Sequence, residues 1–109
     1  SETVLCMEGK CIYGVCTFDT MKKYNVTTND LDAVIASIRN VDGVEVAMFA
    51  YQLKEDTYKI SLRSKKYVDV SKIAVSFGGG GHVRAAGFEV KGTLDEVVAK
   101  VLSSIKEDL

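Results

Sequence analysis

The chain of 109 residues has one histidine, three cysteines, no proline and no tryptophan. The single histidine, His82, has no second imidazole with which to share a metal ion. The cysteines Cys6, Cys11 and Cys16 contain no CxxC pair, so a zinc site of the usual spacing is excluded. Without proline, a low-complexity tract or an internal repeat, no stretch reads as a linker. No apolar run approaches the length needed to cross a bilayer, so no membrane contact is expected. The opening, SETVLCMEGK, has neither the basic start nor the apolar middle of a signal peptide. A cytoplasmic location follows as the expectation, and there the cysteines stay thiols and behave as small apolar residues. Cys6 and Cys11 are placed to face each other across a hairpin turned at Glu8-Gly9. The chain also lacks an initiator methionine and reads as part of a longer protein.

What is present is the composition of one globular domain, 47% apolar and 27% charged. The net charge of −1 by itself argues against a general nucleic-acid binder. Its distribution is uneven. Residues 59–91 hold seven cations (Lys59, Arg63, Lys65, Lys66, Lys72, Arg84, Lys91) against Asp69 and Glu89, a net of +5, while the rest of the chain carries −6. An anionic ligand is favoured in that stretch alone.

The coarse pattern is strands, helix, two strands, helix, strand, helix. Residues 3–7 and 11–18 flank EGK and read as a hairpin. Leu31, Val34, Ile35 and Ile38 fall on one helical face, with Thr27 and Asp30 spaced to cap each other's amides, and Asp42-Gly43 ends that helix. Asp30 and Asp32 both read as helix-start carboxylates rather than as acid–base groups. Residues 44–52 are long and apolar enough for a central strand, residues 54–57 form a polar turn, and residues 58–63 alternate as its partner. Asp69 precedes a short helix with Val70, Ile73, Ala74 and Phe77 inward, closed by Gly78. Residues 87–91 form a further strand. Thr93 and Glu96 make a capping box for a last helix whose face is Leu94, Val97, Val98, Val101, Leu102 and Ile105. The fold class is therefore α/β: one domain over residues 1–109, with a mixed sheet of about five strands and helices packed on it.

Two short segments carry the chemistry. In FGGGGHVRAAGF one glycine is explained by the helix end and three are not. Consecutive glycines let backbone amides converge and let a ligand approach the main chain. Residues 82–86 are able to begin a helical turn that would offer amides to a phosphate, with His82 adding a hydrogen bond and Arg84 directed toward water. No lysine followed by serine or threonine comes after the glycines, so this is not a Walker loop. It follows a helix rather than a strand, so it is not a dinucleotide fingerprint. The second segment is SLRSK at a strand end, where Arg63 offers a planar fork and Ser64 a hydroxyl.

Taken together, SLRSK and DVSKIAVSFGGGGHVRAAGF resemble the C-terminal domain of DHH-superfamily phosphoesterases. The resemblance runs from the EGK hairpin to the last helix. It is strongest to the branch of oligoribonucleases that also dephosphorylate phosphoadenosine phosphate, and RecJ-type exonucleases share the domain. It implies that Arg63 and Ser64 hold the phosphate or terminal nucleotide. Gly79, Gly80 and Gly81 would supply backbone contacts and His82 would meet the phosphate being cleaved. Ala85, Ala86 and Gly87 would stay small where the loop packs. It further implies an N-terminal DHH domain, absent from this chain, as the partner in the same polypeptide. That domain would hold divalent Mn or Mg. The substrate would be short single-stranded RNA or DNA, or a nucleotide phosphate. This chain has no Asp-His-His motif, so by itself it would bind and not hydrolyse. A non-catalytic nucleic-acid module, such as the related C-terminal domain of alanyl-tRNA synthetases, and a purely structural domain are the rival readings. The outer hairpin strand is an edge able to pair with a second copy, which leaves a homodimer open.

Overall fold

The alternation of residues 58–63 is the pattern from which the architecture grows. The computed structural model describes residues 3–25, 27–38 and 40–109. Strand β4 (Thr57–Ser64) buries Tyr58, Ile60, Leu62 and Ser64 on one face and leaves Lys59, Ser61 and Arg63 half-buried on the other. Its neighbours are β3 (Val46–Lys54) and β6 (Ala85–Lys91), both antiparallel to it. Strands β1 (Thr3–Cys6), β2 (Cys11–Cys16) and β5 (Gly80–His82) complete a six-stranded sheet in the order β1-β2-β3-β4-β6-β5. Only β2 and β3 run parallel, so the sheet is mixed. Cys6 stands opposite Cys11 across the first hairpin, and both are free thiols. Burial, and then the neighbouring Cys6, push the Cys11 thiol far above its ordinary value.

The two faces are covered differently. Helices α3 (Val70–Ser76) and α4 (Leu94–Asp108) pack on the face that carries Met48, Ile60, Leu62 and Phe88. The capping box of Thr93 and Glu96 starts α4, and Val97, Val101 and Ile105 enter the core. Asp69 caps α3 by accepting from Ser71 N at 2.9 Å. Helices α1 (Phe18–Tyr24) and α2 (Thr28–Ile38) lie on the other face, where Met21, Val34 and Ile35 meet Ile12, Cys16, Ala47 and Phe49. The expected reciprocal cap is formed, with Thr27 N donating to Asp30 Oδ2 at 2.9 Å and Asp30 N donating to Thr27 Oγ1 at 3.3 Å. The side chains of Leu31 and Ile38, expected on the same face, lie outside the described part. Helices α1 and α2 pack over β2 and β3. Beyond them the β4–β6–β5 part of this face floors a groove open to solvent.

The α/β fold with one mixed sheet is as expected, with six strands where about five were expected, and the local details differ in three places. The second strand stops at Cys16 because Thr17 caps α1, accepting from Thr20 N at 3.4 Å. The sheet gains β5, three residues long and two of them glycine. Residues 82–86 are a hairpin rather than the start of a helix. Gly80, Gly81 and His82 pair with Gly87, Ala86 and Ala85. Ala85 and Ala86 pair in turn with Arg63 and Leu62, and this long-range pairing overrides the helical preference of the two alanines.

The turn of that hairpin is anchored by Arg84, which points inward, not to water. Its guanidinium donates to Ser64 Oγ at 3.2 Å, Val68 O at 2.6 Å and Lys66 O at 2.5 Å. The same segment is gripped from its other side by Glu45. That buried carboxylate accepts from Lys66 N at 3.1 Å, Tyr67 N at 2.8 Å and Val68 N at 3.0 Å. Burial by itself would raise the Glu45 pKa. The backbone donors of Val68, Tyr67 and Lys66, helped by the Arg84 charge, outweigh it and hold the group below its ordinary value. A carboxylate lowered in the folded state contributes stability that is full above its ordinary value of 4.5 and is lost as pH falls through the folded value. Glu45→Gln is expected to cost about 1–3 kcal/mol at pH 7 and to flatten the fall of stability below pH 4.5. Denaturant melts from pH 7 to pH 3 measure this, and an unchanged acid limb would contradict it.

Candidate anion-binding site

Strand register builds the site. On the face shared with α1 and α2, Ala47, Arg63, Ala85 and His82 form one cross-strand row that leaves the helices' cover after Ala47, because Ala47 pairs with Arg63, Arg63 with Ala85 and Ala85 with His82. Phe49, Ser61, Gly87 and Gly80 form the next row, and Tyr51, Lys59 and Glu89 the third. Arg63 and His82 thus stand two strand spacings apart, about 10 Å at the backbone, with only the methyl of Ala85 between them. The His82 imidazole is exposed. Arg63 is half-buried, with Nη1 donating to Leu62 O at 2.9 Å. The floor is low at the first two rows, where β6 contributes only Ala85 and Gly87. The resulting groove holds about 320 Å³ and is lined by Asp32, Tyr51, Lys59, Ser61 and Arg63 with the backbone of residues 80–81 and 85–87.

The four glycines divide by role. Gly78, at φ +87°, closes α3, with its N–H donating to Val75 O at 2.9 Å and the Gly79 N–H to Ala74 O at 2.8 Å. Gly79 and Gly81 are required by the chain itself. A Cβ on Gly79 would sit 2.5 Å from Phe88 Cβ, and one on Gly81 would sit 2.6 Å from both Ala85 O and Ala86 Cα. The expectation that all three remaining glycines answer to a ligand is therefore corrected, since two are consumed by the close crossing of β5 over β6. Gly80 is different. It has no atom within 4 Å of a Cβ position and lies on the groove wall.

Several sequence assignments move. Ser64 lies on the core face, 1% exposed, with Oγ donating to Val68 O at 2.6 Å, so the hydroxyl faces the scaffold rather than the groove. Asp32 is beyond the first turn of α2 and lines the groove instead of capping. Lys59, Ser61 and Tyr51 were not singled out from sequence. The period-2 alternation of YKISLR, which sets Lys59 and Ser61 beside Arg63, carried the signal. Lys59 folds over the sheet, with Nζ 3.2 Å from where a Gly87 Cβ would stand. A second pocket of about 430 Å³ lies behind the 65–69 segment among Lys10, Asp42, Lys65 and Lys66. Its Lys65 amine already donates to Val41 O at 2.9 Å, and Asp42 offsets its charge.

The DHHA1 domain family matches residues 8–108, and the chain belongs to that family. Over 81 residues it is 41% identical to the bifunctional oligoribonuclease and PAP phosphatase NrnA of Thermus thermophilus, covering 73% of this chain and 25% of that protein. Among solved structures it superposes on an exopolyphosphatase-related protein from Bacteroides fragilis with a TM-score of 0.82 and 26% identity, covering 94% of this chain and 30% of that one. The C-Ala domain of alanyl-tRNA synthetase from Aquifex aeolicus superposes with a TM-score of 0.65 at 19% identity, covering 89% of this chain and 87% of that one, a likeness of fold. The chain spans about a quarter of the length of the curated relatives it matches.

The glycine division is open to test by thermal unfolding. Gly79→Ala and Gly81→Ala are expected to lose about 1–3 kcal/mol or to fail to fold. Gly80→Ala is expected to stay within about 0.5 kcal/mol of the parent. Equal losses at all three positions would contradict it.

Proposed function

We propose that this chain is the nucleotide- and phosphate-holding domain of a metal-dependent phosphoesterase that hydrolyses short oligoribonucleotides and nucleotide phosphates. The observation that supports this most is the row Arg63–Ala85–His82 beside Gly80 on the open face. Arg63 presents a planar donor fork suited to phosphate oxygens. Lys59 adds a point charge over Gly87. Gly80 lets a phosphate approach the main chain, and His82 meets it from the far edge. Gly79, Gly81 and Ser64 shape and brace this site from within the fold.

Among the described residues no three of histidine, cysteine, aspartate or glutamate converge as a metal site. The residues present do not fit a two-metal centre. The divalent Mn or Mg, the DHH domain that holds it and the attacking water belong, in this reading, to the remainder of the polypeptide. The present chain orients the phosphate and neutralises charge that develops on it. With half a cleft, its own affinity for a mononucleotide is expected in the millimolar range, about −4 kcal/mol.

Titration of the 15N-labelled chain with AMP or a short oligoribonucleotide tests the reading. Shifts are expected at Arg63 and at residues 79–82, and Arg63→Ala or Gly80→Ala should weaken binding by about tenfold without unfolding the chain. In the full-length enzyme, His82→Ala should lower turnover while the melting temperature holds. No movement of those resonances at millimolar nucleotide would contradict the assignment.

A further inference from the structure

The groove is chemically graded along β4. At one end stand Arg63, Ala85 and Gly81, and at the other Tyr51 and Asp32. Lys59 and Arg63 are four residues apart on the strand, about 14 Å, so the floor is longer than a bare phosphate requires. Asp32 is exposed on α2 and lines the groove together with Tyr51. Burial, followed by the negative charges of Asp32 and Glu89, pushes the Tyr51 phenol up, which places Asp32 within electrostatic reach of that ring. A carboxylate beside an anion site repels a phosphate. It gains from hydrogen-bond donors, and the neutral donor-bearing part of a nucleotide nearest its phosphate is the ribose. The groove end therefore combines a half-buried aromatic ring with an exposed carboxylate acceptor.

We propose that Asp32 and Tyr51 form the nucleoside end of this groove, with the Asp32 carboxylate accepting a hydrogen bond from the ribose 2′-hydroxyl, so that the site prefers ribonucleotides to deoxyribonucleotides. This rests on the reading that Arg63 and its row hold the phosphate. The 2′-hydroxyl is the group by which a protein distinguishes RNA from DNA at one position. Tyr51 packs against the sugar or base, beside Lys59, which stands across from Glu89 on β6.

The test is calorimetric or NMR titration of the chain with AMP, 2′-deoxy-AMP and inorganic phosphate, repeated with Asp32→Ala and Asp32→Asn. Asp32 is exposed and alanine favours helix, so both variants should fold, which circular dichroism checks. AMP is expected to bind about tenfold more tightly than 2′-deoxy-AMP. Asp32→Ala should bring that ratio to about one, with phosphate affinity unchanged or slightly raised. Asp32→Asn, which keeps a carbonyl acceptor, should retain part of it. A parent ratio near one overturns the inference and leaves phosphate binding at Arg63 standing. A ratio that survives in Asp32→Ala, or equal weakening of both nucleotides that would point to a base contact, does the same. Failure of all three ligands to bind overturns the phosphate reading and this inference with it.

Discussion

The segment of residues 65–69 is held on both of its polar edges, and the site geometry depends on that grip. Its N–H groups point at Glu45 and its carbonyls at Arg84, so one short stretch of backbone is clamped between a buried anion and a cation. The clamp joins two places that are distant in sequence. Ser64, next to Arg63, bonds Val68 O and receives Arg84. Arg84, two residues from His82, sits in the hairpin turn whose carbonyls accept from Ser64 N and Val70 N at 3.1 and 3.0 Å. Arg63 and His82 therefore keep a fixed separation although neither contributes to the clamp. Buried groups of this kind are costly unless every member is satisfied, and among the described residues no buried side-chain polar atom lacks a partner.

Scaffold and site occupy opposite faces of the same strands. Tyr58, Ile60 and Leu62 of β4 bind the sheet to α3 and α4, and Lys59, Ser61 and Arg63 face the groove. The glycine run obeys the same separation. The chain needs Gly79 and Gly81 so that β5 can lie against β6, and this close approach leaves Gly80 as the position whose missing side chain serves the open face. Stacking of Phe77 on Phe88, with ring centroids 4.6 Å apart, pins the end of α3 to β6 and so sets where the glycines begin.

Much of this was legible in the sequence, and for identifiable reasons. The last helix and its capping box, the cap of Thr27 and Asp30, and the Asp69 start of α3 depend on local spacing, and each was read correctly. The misses depend on distant partners. Residues 82–86 look helical by composition and become a hairpin because β4 supplies their hydrogen bonds. Thr17 reads as strand until its hydroxyl is seen to cap α1. Ser64 looked like a phosphate donor and Arg84 like a solvent-facing charge because the carbonyls that receive them lie in a segment with no regular structure. Asp32 resembled a helix-start charge, and only the packing of α2 beside β4 shows it at a groove. The family resemblance was carried by the SLRSK and glycine-histidine motifs, and the match over residues 8–108 agrees with it.

In the proposed function the clamp presents Arg63 and His82 across a low floor to one phosphate. A crystal structure of the chain with AMP bound measures this most directly. The phosphate should lie over Ala85 and Gly80, with Arg63 and His82 on either side and the Glu45–Arg84 clamp unchanged. A phosphate seated instead among Lys10, Lys65 and Lys66, behind the clamped segment, would contradict the account.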